Sequence, residues 1–386
     1  MSEIPYQWQK IPIQECCKIL DSQRVPLNSE ERYFMKGDIP YYGANGVVDW
    51  IDKYIFEEDL ILVAEDGGNF EDYENRSIAY KISGKSWVNN HAHVLRVIDN
   101  YNFNFIFYSL EHKNLIEVIK GGTRSKLNQS ELKEIPILCP KITEEQQKIA
   151  SILENVDDTI DKTQEIIEKY EMIKEGLLHD LFKKEYKYLK LGDIAYIKGR
   201  IGWRGLKAHE YTDNGPYLIA GNHIKDDEID WGDCQHISWE RYYESNEIIL
   251  EQNDIIISKD GTIGRLAFID NLPGPSTINS TMMLLRVDPR VFYPKYLFYY
   301  LQTQNFKKLV EERISGSTVP HLFQEDMKQF YVKKMEIEKQ IGIVNRLESI
   351  DKILKKEKEY LKKLQKIKNG LMQDLLTGKV RVKVEA

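Results

Sequence analysis

The segment GLLHDLF at residues 176–182 returns as GLMQDLL at residues 370–376, 194 residues later in a chain of 386. Read backwards from both copies, apolar residues recur in alternating steps of four and three. The first copy runs Ile149, Leu153, Val156, Ile160, Thr163, Ile167, Tyr170, Lys174, Leu177 and Leu181. The second runs Ile343, Leu347, Ile350, Leu354, Glu357, Leu361, Leu364, Lys368, Leu371 and Leu375. This is a heptad seam with charge around it, the pattern of a long amphipathic helix. Neither segment contains proline; the first opens on the capping-box pattern Thr143-Glu144-Glu145-Gln146, and the second stops near Thr377-Gly378. About 40 residues at 1.5 Å rise make each helix roughly 60 Å long.

Each stripe can bury itself on its own neighbouring domain or on the other stripe. Charge favours the second arrangement: residues 142–185 carry 6 basic and 12 acidic side chains, residues 336–386 carry 13 and 8. The polar interruptions fall at matching places, Thr163/Glu357 and Lys174/Lys368, and could fix register.

The repeat extends upstream. GGTRSKLNQSELK (121–133) lies against SGSTVPHLFQEDMK (315–328), and DIPYYGANG (38–46) against NGPYLIAGN (214–222). EDLILVAEDGG (58–68) echoes QNDIIISKDGTIG (252–264), and SWVNNHAHVLRV (86–97) echoes STINSTMMLLRV (276–287). The apolar runs LILVA and DIIIS end in Gly-rich turns and read as strands, while FIFYSLE and YLFYYLQ read as helices. The expected fold is α+β: two similar α/β domains joined by two long antiparallel helices that form a coiled-coil spacer, with a pseudo-two-fold internal repeat. The first domain is assigned to residues 1–141, the central helix to 142–185, the second domain to 186–335, the C-terminal helix to 336–379 and a tail to 380–386.

No apolar run approaches the ~18 residues a membrane span needs, and MSEIPYQWQK lacks the regions of a signal peptide, so a cytoplasmic protein is expected. Cys16, Cys17, Cys139 and Cys234 form no CxxC motif and read as reduced thiols. The net charge of −7 argues against nucleic acid only if charge is evenly spread; segregation onto one face of each domain is expected. Antiparallel pairing of the helices would relate the domains by an approximate two-fold axis, the local symmetry of B-DNA, whose half-sites repeat at about 34 Å. Because the two domains differ, the site they read need not be palindromic.

KLGDIAYIKG (190–199), ISKDGTIGRLAFI (257–269), ITEEQQKIASIL (142–153) and the GLLHDLF/GLMQDLL pair, in this order and twice, closely resemble the specificity subunits of type I restriction–modification systems. The likeness covers essentially the whole chain. It departs at KIPIQECCKILDSQ (10–23), which stands where the second half has KLGDIAYIKG, and at AEDGGN, which stands for SKDGTIG. The resemblance implies two target-recognition domains, each reading one half of a bipartite, asymmetric site on double-stranded DNA. It implies two modification (methyltransferase) subunits docked on the helices for adenine methylation, and restriction subunits that add ATP-dependent cleavage. It also implies a subunit without catalysis, with S-adenosylmethionine, ATP and Mg bound by the partners. The residues agree: there is no Asn-Pro-Pro-Tyr or Asp-Pro-Pro-Tyr, no GxGxxG and no GxxxxGK[ST].

Base reading needs side chains with two hydrogen-bonding functions, and phosphate positioning needs cations, hydroxyls and Gly turns. In the first domain the candidates are Thr123, Arg124, Ser125 and Lys126 in a Gly turn, with Asn89, Asn90 and His91. In the second they are Lys259, Thr262 and Arg265, then Ser317, Thr318 and His321, with Trp203, Arg204 and Asn222. Each loop could equally be a solvated turn. His91 and His93, two apart, share a strand face, but no third ligand is evident and no metal is assigned. Two other readings stand beside DNA targeting: a structural scaffold rod carrying two protein-binding modules, and an enzyme centred on the Asn89–His93 strand.

Overall fold

The computed structural model describes residues 4–119, 126–183, 187–200, 206–207, 210–316 and 320–384. The chain divides into two units, Met1–Gln164 with Glu359–Ala386, and Glu165–Lys358. Both long helices are continuous, Thr143–Lys183 and Ile337–Leu375, so each unit holds part of both.

In the first unit a four-stranded antiparallel sheet runs in the order Cys17–Ile19, Ala92–Val97, Leu60–Ala64, Ala79–Ile82. A second sheet runs in the order Gly46–Ile51, Lys36–Gly43, Lys85–Val88, Phe56–Glu57, with Lys36–Gly43 parallel to Lys85–Val88. Trp8–Pro12 and Pro136–Pro140 pair antiparallel, tying the start of the domain to its end. All five side chains of Leu60–Ala64 are buried. That explains an unbroken apolar run in place of alternation: the strand is covered on both faces.

The second unit repeats this plan. Ala195–Gly199, Met282–Val287, Ile255–Ser258 and Leu266–Phe268 form a sheet of the same order, and Ser276–Ile278 again runs parallel to a longer strand, Tyr211–Ile219. Tyr188–Lys190 and Tyr331–Lys333 close the domain as the outer pair does in the first. The runs read as helices are helices, Phe103–Glu111 and Pro294–Tyr300.

The apolar stripe serves both of its possible destinations. Ile149 and Leu153 join the core of the first domain with Trp8, Phe105 and Leu132, and Met372 and Leu375 of the other long helix join the same core. In the second unit Leu178 and Phe182 meet Ile343 and Leu347 on Tyr296 and Leu322. Further along, the helices meet through charge. In the first unit Lys368 Nζ lies 2.8 Å from Asp157 and 3.0 Å from Glu111, and Tyr108 donates to Asp157 at 2.8 Å. In the second unit Lys174 Nζ lies 2.7 Å from Asp351, to which Tyr299 donates at 2.6 Å, and Lys358 lies 2.7 Å from Glu171. As residue numbers rise on one helix they fall on the other, which is antiparallel pairing. Lys174 and Lys368 therefore do not form one polar layer; each takes an aspartate of the opposite helix within its own unit. Thr163 is buried and donates back to the Thr159 carbonyl at 2.7 Å, satisfying itself.

Candidate nucleic-acid interface

In the first domain three turns and the segment at Lys126–Leu127 meet at one end of the sheet. Strand Leu60–Ala64 runs into Glu65-Asp66-Gly67, where Gly67 has φ +68°, a conformation in which a Cβ is costly. The Glu65 N–H donates to the His91 carbonyl at 2.8 Å, and the Leu127 N–H donates to the Glu65 carbonyl at 2.8 Å. Asn45 donates from Nδ2 to the Gly67 carbonyl at 2.9 Å, and the His91 imidazole hydrogen-bonds Asp66. Asn89 shapes its own turn: its Oδ1 accepts from the His91 N–H at 2.8 Å, and its N–H donates to the Tyr42 carbonyl at 3.0 Å. An open cleft of about 840 Å³ lies over these turns, lined by Asn28, Arg32, Asn45, Asn89, Asn90 and His91 among others. Amides and imidazole offer the paired donor and acceptor functions that distinguish base edges.

A buried ionic cluster holds the turns together. His93 is 1% exposed, with Nδ1 2.6 Å from Asp21 and Nε2 2.8 Å from the Leu127 carbonyl, so both ring nitrogens face acceptors. Asp21 also accepts from the Val94 N–H at 2.9 Å and from Gln129 at 3.1 Å. Arg24 donates to Glu65 and to the Ala92 carbonyl, each at 2.7 Å, and Lys126 lies 3.1 Å from Glu65. Burial alone would raise the Asp21 carboxyl. The hydrogen bond and charge of His93, the Val94 amide and Arg24 outweigh it and hold the group below the usual carboxylate range. Ligand atoms of Asp21, Glu65 and His93 fall within 4.8 Å of one another. Arg24 and Lys126 already supply the countercharge a metal would bring, so the cluster reads as an ion-pair network.

The second domain rebuilds the same backbone frame with other side chains. The Lys259 N–H donates to the Thr281 carbonyl at 2.8 Å, and the Leu322 N–H to the Lys259 carbonyl at 3.0 Å. Asn279 accepts from the Thr281 N–H at 2.9 Å, as Asn89 does from His91. Gly261 repeats the positive φ, at +71°. Asp260 is held by Lys259 at 2.8 Å and by the His321 imidazole; these outweigh its burial and lower its carboxyl pKa. Arg265 donates to the Gly221 carbonyl at 3.1 Å, next to the exposed Asn222. His91 of the first domain thus corresponds to Thr281, Glu65 to Lys259, Lys126 to His321 and His93 to Met283.

Of the residues singled out from sequence, Asn89, Asn90, His91 and Lys126 come together in the first domain. Lys259, Thr262, Arg265, His321 and Asn222 come together in the second. Thr123, Arg124, Ser125, Trp203, Arg204, Ser317 and Thr318 lie outside the described residues. His91 and His93 are not a pair: one meets Asp66, the other Asp21. Sequence reasoning missed Asp66 and Asp260, although the 194-residue offset aligns them. It also missed Asp21, Arg24, Arg32 and Asn45, which no local pattern marks.

The sequence matches the type I restriction modification DNA specificity domain twice, over residues 5–172 and 183–366. A protein of Haemophilus influenzae named as type I restriction enzyme specificity subunit S.HindORF215P is 29% identical over 89% of this chain and 87% of its own length. The MjaVIII specificity subunit of Methanocaldococcus jannaschii is 25% identical, over 98% of this chain and 94% of its own. Among solved structures, the S subunit of a type I restriction–modification system from M. genitalium shares the fold at TM-score 0.66, with 18% identity over 97% of this chain and 98% of that one. The fold and its duplicated turns define a two-domain, helix-linked α+β protein. The chain belongs to the type I restriction–modification DNA specificity family and carries two copies of its domain. Among the described residues, no helix is long and apolar enough to cross a membrane.

Proposed function

We propose that this chain is the non-catalytic DNA-reading subunit of a cytoplasmic type I complex, each domain reading one half of a bipartite, asymmetric duplex site. The observation that carries this reading is the turn cluster: the same backbone hydrogen bonds occur in both domains, while the side chains they display differ. A frame kept twice with its display changed suits two different half-sites. Phosphate contacts would come from lysines and arginines of the turns, and base contacts from Asn90, His91, Thr262 and Asn222. The exposed faces of the long helices set the spacing and dock two modification subunits, which bring S-adenosylmethionine for adenine methylation. Restriction subunits would add ATP- and Mg-dependent cleavage. The chain's part is to bind and to orient; the chemistry is the partners'.

The experiment is a methylome of the host with and without this gene. Loss of adenine methylation at one interrupted, asymmetric motif is the expected result. An unchanged methylome, with the modification subunit expressed, would overturn the targeting role and bring the scaffold reading forward.

A further inference from the structure

In the second domain one charged group is left unsatisfied at the edge of the turn cluster. Arg200 follows strand Ala195–Gly199 and is 4% exposed. Its Nε donates to the Ile278 carbonyl at 3.3 Å, while Nη1 and Nη2 find no partner among the described residues. The backbone just before it is closely packed. A Cβ on Gly199 would lie 3.2 Å from the Met282 carbonyl oxygen and 3.4 Å from both Gln324 and Lys259. Ile278 itself leads into the Asn279–Thr281 turn. Burial pushes the Arg200 guanidinium down and Arg241 adds to this, while Glu244, Glu247 and Glu210 oppose it.

A buried guanidinium with two idle donors is costly to keep, because burial removes the water that would satisfy them. The first domain shows the alternative. Strand register makes Asp21 the counterpart of Gly199, and there a nearby cation, Arg24, donates to Glu65 and to the Ala92 and Asp21 carbonyls. Nη1 and Nη2 form the end-on fork of the guanidinium, which matches two acceptors side by side. In duplex DNA that pair is a phosphate or the O6 and N7 of guanine. Three nearby carboxylates make an anion the poorer guest, and a guanine edge is neutral.

We propose that Arg200 is a specificity-determining residue, which leaves its single carbonyl contact to take the O6 and N7 of one guanine in the half-site read by the second domain. This rests on the reading of the domain as a DNA reader, and its test separates the two. Adenine methylation is mapped in cells expressing the modification subunit with wild-type chain, with R200A, with R200K, or with no chain. A motif that disappears without the chain supports the DNA reading by itself. R200A should then relax the motif at one guanine in one half, by roughly tenfold to a hundredfold in discrimination, with the other half unchanged. R200K keeps the charge but not the fork and should relax the same position, which also carries the test if R200A does not fold. In a binding measurement with the assembled complex, 7-deazaguanine at that position should weaken the wild type and leave R200A unmoved. An identical motif in R200A would overturn the proposal. So would a uniform loss of methylation restored by R200K, which would mean a phosphate or packing role.

Discussion

Asp21 shows how one side chain can hold a reading surface in place. It links strand Ala92–Val97, through His93 and Val94, to the segment that carries Lys126 and Gln129. Replacing it by Asn leaves Arg24 and His93 facing a neutral amide inside the domain, and a loss of about 3 kcal/mol is expected in urea unfolding of the full chain. Because its pKa is lowered in the folded state, Asp21 contributes stability that is fully present above about pH 4, the ordinary carboxylate value. That contribution drains away as pH falls through the folded value. Stability measured from pH 5 down to pH 2 should therefore fall less steeply in D21N than in wild type; equal slopes would refute the coupling. The turn glycines make a second case. Gly67 and Gly261, at φ +68° and +71°, should each lose about 1–2 kcal/mol on change to Ala, read as a shift in thermal unfolding.

At the scale of elements, the long helices are registered by the same Tyr–Asp–Lys contact in each unit. Lys368 is 12% exposed beside Asp157, and Lys174 is 18% exposed beside Asp351. A double-mutant cycle of Asp157→Asn and Lys368→Met should give a coupling of about 1–3 kcal/mol. The Lys174/Asp351 cycle should give less, since both of its members are more exposed. Coupling near zero in both would mean that apolar packing alone sets the register. Burial opposes the charge on Lys368, but Glu111 and Asp157 more than compensate and raise its pKa. Its contribution is thus complete below the ordinary lysine range and lost as pH climbs through the raised value. K368M should flatten the alkaline limb of the stability profile.

For the whole molecule, duplication of the frame with divergence of the display makes an exclusive prediction. Asn90→Ala should alter one half of the methylated motif, and Thr262→Ala the other, each by about 1–3 kcal/mol per lost base contact. Methylation mapping of both variants checks this. Changes from both variants within one half would contradict a division of labour between the domains.

The duplication, the two long helices and the buried strands were legible in sequence because each is a periodic signal: a 194-residue offset, a heptad, an unbroken apolar run. The turn cluster was legible in part. Asn89, Lys126, Lys259 and His321 stand beside glycines or recurring phrases, but nothing linear joins Asp21 to His93 or Arg24 to Glu65. Those contacts span 72 and 41 positions in the chain and exist only once the strands pair. Sequence likewise offered Lys174 and Lys368 as one polar layer, because heptad position says which side of a helix a residue takes and not which residue faces it. The partner across the seam is chosen by register between helices, and packing of the two domain cores on those helices sets it. Periodicity is written locally and sequence alone determined it; the company a charged side chain keeps is a matter of proximity in space, which only the tertiary structure decided.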